Sequence, residues 1–318
     1  MTQGEKQRNE IFKVYSENLN LLKTNNLLPN ITPKFVGTYI CPICLEHFSP
    51  KDLNLNLPNH LTLEDAPPKS LGGNANILTC KTCNNTCGYK IDFHLTERLK
   101  ELDNKSFLPN TEAKVKVKKD GQVFQGTLKI DNEGIMTIHH SEKNNHSKKL
   151  EKFIGTIGKG ITISMDFEKS RVIPENLQYA ILKTGYLLAF EKFGYCFILD
   201  PLFNGIRHQL KNPENNTYPT NFWFMPPYPK EACGVYFVCD KGIEAILSIF
   251  TLKTALSERI FATILPLIYS IEETLTKIDD KLDEAGDTEF ELYPSENYIS
   301  NLASIRQMRK WMNNRKVN

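Results

Sequence analysis

Two Cys-x-x-Cys pairs carry the most specific chemistry in this chain: Cys41 with Cys44, and Cys80 with Cys83. Together they offer four soft thiolates. That donor set selects a tetrahedral Zn²⁺ and leaves no coordination position open, so the ion would be structural. Residues 45–79 separate the pairs, a wider gap than in small zinc ribbons, so the segment between them must fold as an insert. Cys87 lies one helical turn after Cys83; a small side chain packed in a helix suits it better than a competing ligand. Cys196, Cys233 and Cys239 sit in apolar surroundings and read as core.

Bringing the two pairs to one ion requires tight turns and short elements. Cys41-Pro-Ile-Cys44 resembles a zinc knuckle, the turn that aims two thiolates at one point. Residues 62–65 read as a strand stopped by Pro67-Pro68, because proline has no N–H for a ladder. Gly72-Gly73 marks a loop, and 77–80 reads as a second strand. Residues 84–99 read as a helix, with Ile91, Leu95 and Leu99 at steps of four. The order is strand, loop, strand, helix, with a cysteine pair at each end. Upstream, 5–23 reads as a helix ended by Asn25-Asn26 and Pro29.

Downstream, 104–110 reads as a linker. Strands are predicted at 113–117, 122–130, 134–139 and 160–165, with turn chemistry at Asp120-Gly121 and Asn132-Glu133-Gly134. A broad apolar helix is predicted over 175–193, with Pro174 suited to its start. A second helix over 196–210 is broken at Pro201 or begins there. Further strands are predicted at 221–226, 233–239 and 244–251, with Asp240-Lys241-Gly242 as a hairpin turn. Helices close the chain at 272–281 and 296–315.

The motifs Cys-x-x-Cys, Leu61-Thr-Leu-Glu64-Asp65-Ala-Pro-Pro-Lys69-Ser-Leu-Gly72-Gly73 and Leu78-Thr-Cys80-Lys-Thr-Cys83-Asn84-Asn85 resemble the HNH endonuclease family, with its ββα-metal core. The resemblance covers about residues 39–100. It implies an acidic metal ligand on the first strand, a histidine general base after it, and an Asn or His ligand from the helix. Carried over by position, Glu64 and Asn84 would hold a catalytic Mg²⁺ or Mn²⁺, and Asp65 stands in the base position. Asn74 and Asn76 only approximate the middle Asn of the pattern.

The departure at Asp65 matters because water activation needs a group titrating near neutrality, hence histidine. An aspartate at ~3.9 is a poor base unless burial raises it. Three accounts stay open. Asp65 serves as base with a raised pKa; His60 substitutes, although ~13 Å of strand separates it from Glu64; or catalysis is lost and the core only binds. An exposed loop histidine is the simpler reading of His60. Asp92 lies about 12 Å beyond Asn84 along a helix, so it would orient the loop, pair with Lys69 or lie on a solvated face.

Bulk properties narrow the rest. The chain has 318 residues, 40% hydrophobic, with 8 cysteines and a formal charge of +2. That balance rules out a whole-protein basic field, so any attraction for nucleic acid must be local. Lys114, Lys116, Lys118 and Lys119 alternate with valines, as a solvated sheet face or a stripe along a phosphate backbone. Arg306, Arg309, Lys310, Arg315 and Lys316 with Trp311 form a basic tail. The His139-His140 pair and His146 read as surface histidines, and 222–225 as core entering a turn. No secretory signal is visible, and the longest apolar run, 260–271, is shorter than the ~20 residues a bilayer needs. A cytoplasmic protein without membrane association is expected.

These readings combine into an α+β protein. Residues 1–38 are a helix and connection, 39–105 a zinc-stapled ββα-metal (HNH-like) module, and 111–318 a larger mixed α/β-rich domain for targeting, dimerisation or sensing. The expected function is metal-dependent endonucleolytic cleavage of DNA, with RNA as an open substrate and a homodimer as an open assembly. The setting would resemble bacterial or phage conflict, by analogy only. The alternative is a catalytically inactive zinc scaffold that binds nucleic acid or protein.

Overall fold

The architecture is taken from a computed structural model, which describes residues 2–28, 37–140, 145–158, 160–240, 243–285 and 297–315, with side chains left aside at 239–240, 281–285 and 311–315. Along the chain come α1 (Gln3–Thr24), β1 (Tyr39–Ile40), β2 (His47–Phe48), β3 (Leu61–Ala66), β4 (Asn74–Cys80), α2 (Lys81–Cys87), a π-helical turn (Gly88–Asp92) and α3 (Phe93–Lys105). Next are β5 (Glu112–Lys119), β6 (Gln122–Ile130), β7 (Met136–His140), α4 (Ser147–Gly155) and β8 (Ser164–Phe167). Then follow α5 (Pro174–Phe193), α6 (Tyr195–Ile198), α7 (Asn204–Lys211), β9 (Trp223–Phe224), β10 (Gly234–Asp240), β11 (Ile243–Lys253), β12 (Glu258–Pro266), α8 (Ile271–Ala285) and α9 (Leu302–Arg315). Every described strand pair is antiparallel. The protein is therefore mixed α/β.

Two compact units result. One comprises Met1–Leu95, Ile173–Lys253 and Glu258–Asn318; the other comprises Thr96–Val172 and Thr254–Ser257. This cuts the chain differently from the linear division at residues 105 and 111. The reason is α5. It is apolar almost all round, with Tyr179 to Leu187 buried without a break, so it needs packing partners on every side. On one side lies the β3–β4 hairpin, and on another the four-stranded sheet in the order β10-β11-β12-β9. Residues 173–253 thus belong with the cysteine-bearing segment rather than with the β-rich stretch before them.

Within the first unit, α1 starts at a capping box in which Thr2 and Glu5 satisfy each other's backbone N–H groups. Its Tyr15 stacks on Phe190 of α5 at 4.6 Å between ring centroids and meets Tyr39 and Tyr195 edge-on. The run 260–271, with no element assigned from sequence, supplies β12, an inner strand of the sheet. Two sheet neighbours and the α5 side explain its near-continuous apolar pattern. The helix expected over 196–210 is split into α6, a 3₁₀ turn beginning at Pro201, and α7.

In the second unit the sheet order is β7-β6-β5-β8. Val115, Val117, Phe124 and Leu128 face inward under Leu150 and Phe153 of α4. Asp120 and Gly121 both have positive φ, 49° and 74°, the demand of a two-residue hairpin. The fourth strand sits at Ser164–Phe167 rather than at 160–165, and α4 was not read from the sequence. It is short and amphipathic, and its apolar face is defined only by the sheet it covers. Pro29, the Asp240-Lys241-Gly242 turn, and the side chains of Cys239, Trp311, Arg315 and Lys316 lie outside the described residues.

The α5–sheet contact makes one position diagnostic. A Cβ at Gly185 would lie 1.9 Å from Thr263 Oγ1, and Ser248 Oγ already donates to the Gly185 carbonyl at 3.1 Å. Gly185→Ala should therefore destabilise the fold by about 1–3 kcal/mol through overpacking. Urea denaturation should show a lowered midpoint; an unchanged midpoint would mean that α5 does not approach β12 this closely.

Candidate functional site

Cys41 and Cys44 lie in the turn after β1, Cys80 ends β4 and caps α2, and Cys83 sits in the first turn of α2. Their four sulfurs lie within 4.8 Å of one another. Sulfurs ~2.3 Å from a tetrahedral zinc would be ~3.8 Å apart; Cys44 and Cys80 Sγ are 3.7 Å apart. The N–H groups of Cys80 and Cys83 donate to the sulfurs of Cys41 and Cys80 at 3.5 Å, which favours the thiolate form. Burial pushes the Cys41 thiol up, so a cation is what would let this cluster ionise. The four cysteines are positioned to hold one metal ion, a geometry that fits structural zinc. Cys87 is outside the cluster, fully buried with its thiol toward the Leu210 carbonyl. Cys196 is core, whereas Cys233 is half-buried and reaches Thr251.

β3 and β4 pair from Leu61↔Cys80 to Ala66↔Asn74, with a bulge between Glu64 and Asp65. The connecting loop returns on itself so tightly that a Cβ at Gly73 would lie 1.5 Å from the Pro67 carbonyl oxygen, and Gly72 has φ +88°. Gly73 is thus required by backbone approach and Gly72 by its left-handed conformation. α2 follows directly, so a hairpin and a helix flank the cysteine cluster in the order read from the sequence.

The residue that sequence reasoning missed is Lys183, in the middle of α5. Its ammonium is fully buried and donates to Glu64 Oε1 at 2.7 Å and to Asp92 Oδ2 at 2.6 Å. Glu64 is 4% exposed, and its other oxygen accepts from Thr79 Oγ1 at 2.8 Å. Burial alone would depress the Lys183 pKa; Asp92 and Glu64 outweigh it and hold the ammonium protonated. Burial pushes Asp92 up to about 6 against the pull of Lys183, and among the described residues its Oδ1 has no hydrogen-bond partner. Asp92 therefore neither pairs with Lys69 nor faces solvent. The π-helical turn interrupts the α-helical spacing that separated it from the hairpin, and Lys183 bridges the remaining gap. The signal was present: Lys183 is the single charge in the apolar run from Tyr179 to Phe190, and a buried ammonium demands buried carboxylates.

Asn84 donates both amide hydrogens inward, to Thr62 Oγ1 and to the Leu63 carbonyl, each at 2.9 Å. Its carbonyl oxygen is the group left for other use. Asp65 is half-buried; burial first, then Glu64, raise its pKa, while Lys69 and Lys183 lower it. His60 is not an exposed loop residue. It is 6% exposed, with Nδ1 2.7 Å from the Leu57 carbonyl. Asn76 donates to Glu191 at 2.9 Å. Among the described residues, no helix is long and apolar enough to cross a membrane. Comparison with family models, curated proteins and solved structures found no match.

Two tests follow from this geometry. The purified protein should carry about one zinc per chain by elemental analysis. Chelation, or Cys80→Ser, should remove it and lower Tm by about 6–12 °C, the equivalent of ~3 kcal/mol. A metal-free protein of full stability would contradict the site. Separately, Lys183→Met strands two buried carboxylates and should cost about 3–5 kcal/mol. Adding Glu64→Gln and Asp92→Asn should recover most of that loss in equilibrium unfolding; no recovery would mean that the three side chains do not act as a unit.

Proposed function

We propose that residues 39–95 form an HNH-type ββα module around a structural zinc ion, and that it engages nucleic acid, DNA foremost, without hydrolysing it. The observation that carries this reading is the Lys183 ammonium against Glu64 at 2.7 Å. In the family this chain resembles, the corresponding acid holds a divalent cation. Here a built-in single charge neutralises it. At ~4 Å from that ammonium a divalent ion would meet a repulsion of about 8 kcal/mol at an effective dielectric of ~20, against the pull of Glu64 and Asp92. The ammonium cannot retreat to solvent cheaply, because Lys183 has no exposed surface and α5 is packed along its length. What stays available is the loop surface with exposed Lys69, suited to phosphate contact and not to water activation.

Hydrolysis is the second reading, and Asp65 favours it. Its raised pKa moves it toward what a general base needs, and the Asn84 side-chain amide donates to Thr62 and Leu63, leaving Oδ1 to turn toward a cation. In that case Asp65 would act as base, and Mg²⁺ or Mn²⁺ would be held by Glu64 and Asn84, as the resemblance implies. The two readings separate in one assay. Plasmid DNA and an RNA transcript are incubated with the protein and either cation, beside Glu64→Ala, Asp65→Asn and Asn84→Ala. Binding by mobility shift in EDTA with no nicking in any cation supports the first reading. Cation-dependent cleavage lost in Asp65→Asn and Asn84→Ala supports the second. Absence of both binding and cleavage overturns the module's assignment to nucleic acid.

A further inference from the structure

The polar face of the β7-β6-β5-β8 sheet holds a second candidate site, wholly within the second unit. Register places Lys116 beside Gln125 on one side and Asp166 on the other, with Lys114, Thr127 and His139 forming the next row. Across these rows runs a groove of 490 Å³, contributed to by all four strands. That volume falls in the range of small-molecule sites.

The charges on this face are nearly all spoken for. Lys114 pairs with Glu168 at 3.8 Å, Lys129 with Glu112 at 3.0 Å, and Lys118 with Asp166. Lys119 turns away and donates to the Thr156 carbonyl at 2.5 Å. The face is therefore no continuous basic stripe. Among the described residues Lys116 and Lys169 line the groove without an ion pair, and register sets Lys116 between Gln125 and Asp166. A polyanionic strand laid here would press neighbouring phosphates against Asp166 and Glu168. A ligand with one anionic end and hydrogen-bond donors elsewhere would use both signs of charge.

We propose that this groove binds a small phosphate ester of nucleotide size. Lys116 meets the phosphate, Gln125, Thr127 and His139 offer further hydrogen bonds, and Asp166 and Glu168 accept from the ligand's hydroxyl or amino groups. The site would give the second unit a ligand-sensing role independent of the zinc module.

Isothermal titration of the full chain with AMP, adenosine, inorganic phosphate and a single-stranded oligonucleotide tests this. AMP should bind 1:1 with Kd below ~1 mM. Adenosine and phosphate alone should each bind at least ~10-fold more weakly. Lys116→Gln should weaken AMP binding by ~10-fold or more, while Lys129→Gln, on the same face but outside the groove, leaves it unchanged. Both substitutions are on exposed strand positions, and circular dichroism confirms the fold. No AMP binding, equal loss in both variants, phosphate bound as well as AMP, or an oligonucleotide bound far more tightly with steep salt dependence would each overturn the proposal.

Discussion

The structure depends on one buried charge. Lys183 sits on a helix that is otherwise apolar, and its ammonium would be intolerable there without compensation. Glu64 and Asp92 supply it from a strand and a π-helical turn that are far apart in sequence. The three groups are useful only together. Removing the lysine leaves a buried and a mostly buried carboxylate without a counter-charge, and removing the acids leaves a buried ammonium. The hairpin, the turn after α2, and α5 are thereby tied to one geometry. α5 in turn is held by the Gly185–Thr263 approach on the sheet side and by Tyr186, whose hydroxyl donates to the Pro42 carbonyl of the cysteine knuckle at 2.6 Å. The cysteine cluster and the ion triad therefore brace the same helix.

This arrangement changes what the acidic strand residue can do. A carboxylate on a ββα hairpin is a natural ligand for a hard divalent ion because it is anionic and rigidly aimed. A lysine that reaches the same carboxylate from elsewhere in the fold, shared here with Asp92, opposes that role with its own positive charge. Lys183 and Thr79 each donate one hydrogen bond to a different oxygen of Glu64.

The parts legible in the sequence were those set by local spacing. Cysteine pairs, proline stops, the Asp120-Gly121 turn and the period-2 pattern of β6 each act within a few residues, so the zinc-fitting cluster and the strand–strand–helix order could be read directly. β12 could not, because its apolar run makes sense only between two other strands. α4 was missed for a related reason: its short apolar face is meaningful only over the sheet. Lys183 lies 119 residues from Glu64, and no local rule connects them. The buried lysine within an apolar helix signalled a partner without saying which one. The basic stripe was legible as alternation, but the acids of β8 and β5 that offset it come from pairings the sequence does not state.

The central claim is that a lysine, not a divalent ion, accompanies Glu64. Crystals grown in Mn²⁺, with anomalous data collected at the manganese and zinc edges, test it most directly. The expected result is a zinc peak among Cys41, Cys44, Cys80 and Cys83, no manganese peak near Glu64, and continuous density for Lys183 between Glu64 and Asp92. A manganese peak on Glu64, with Lys183 displaced, would contradict it.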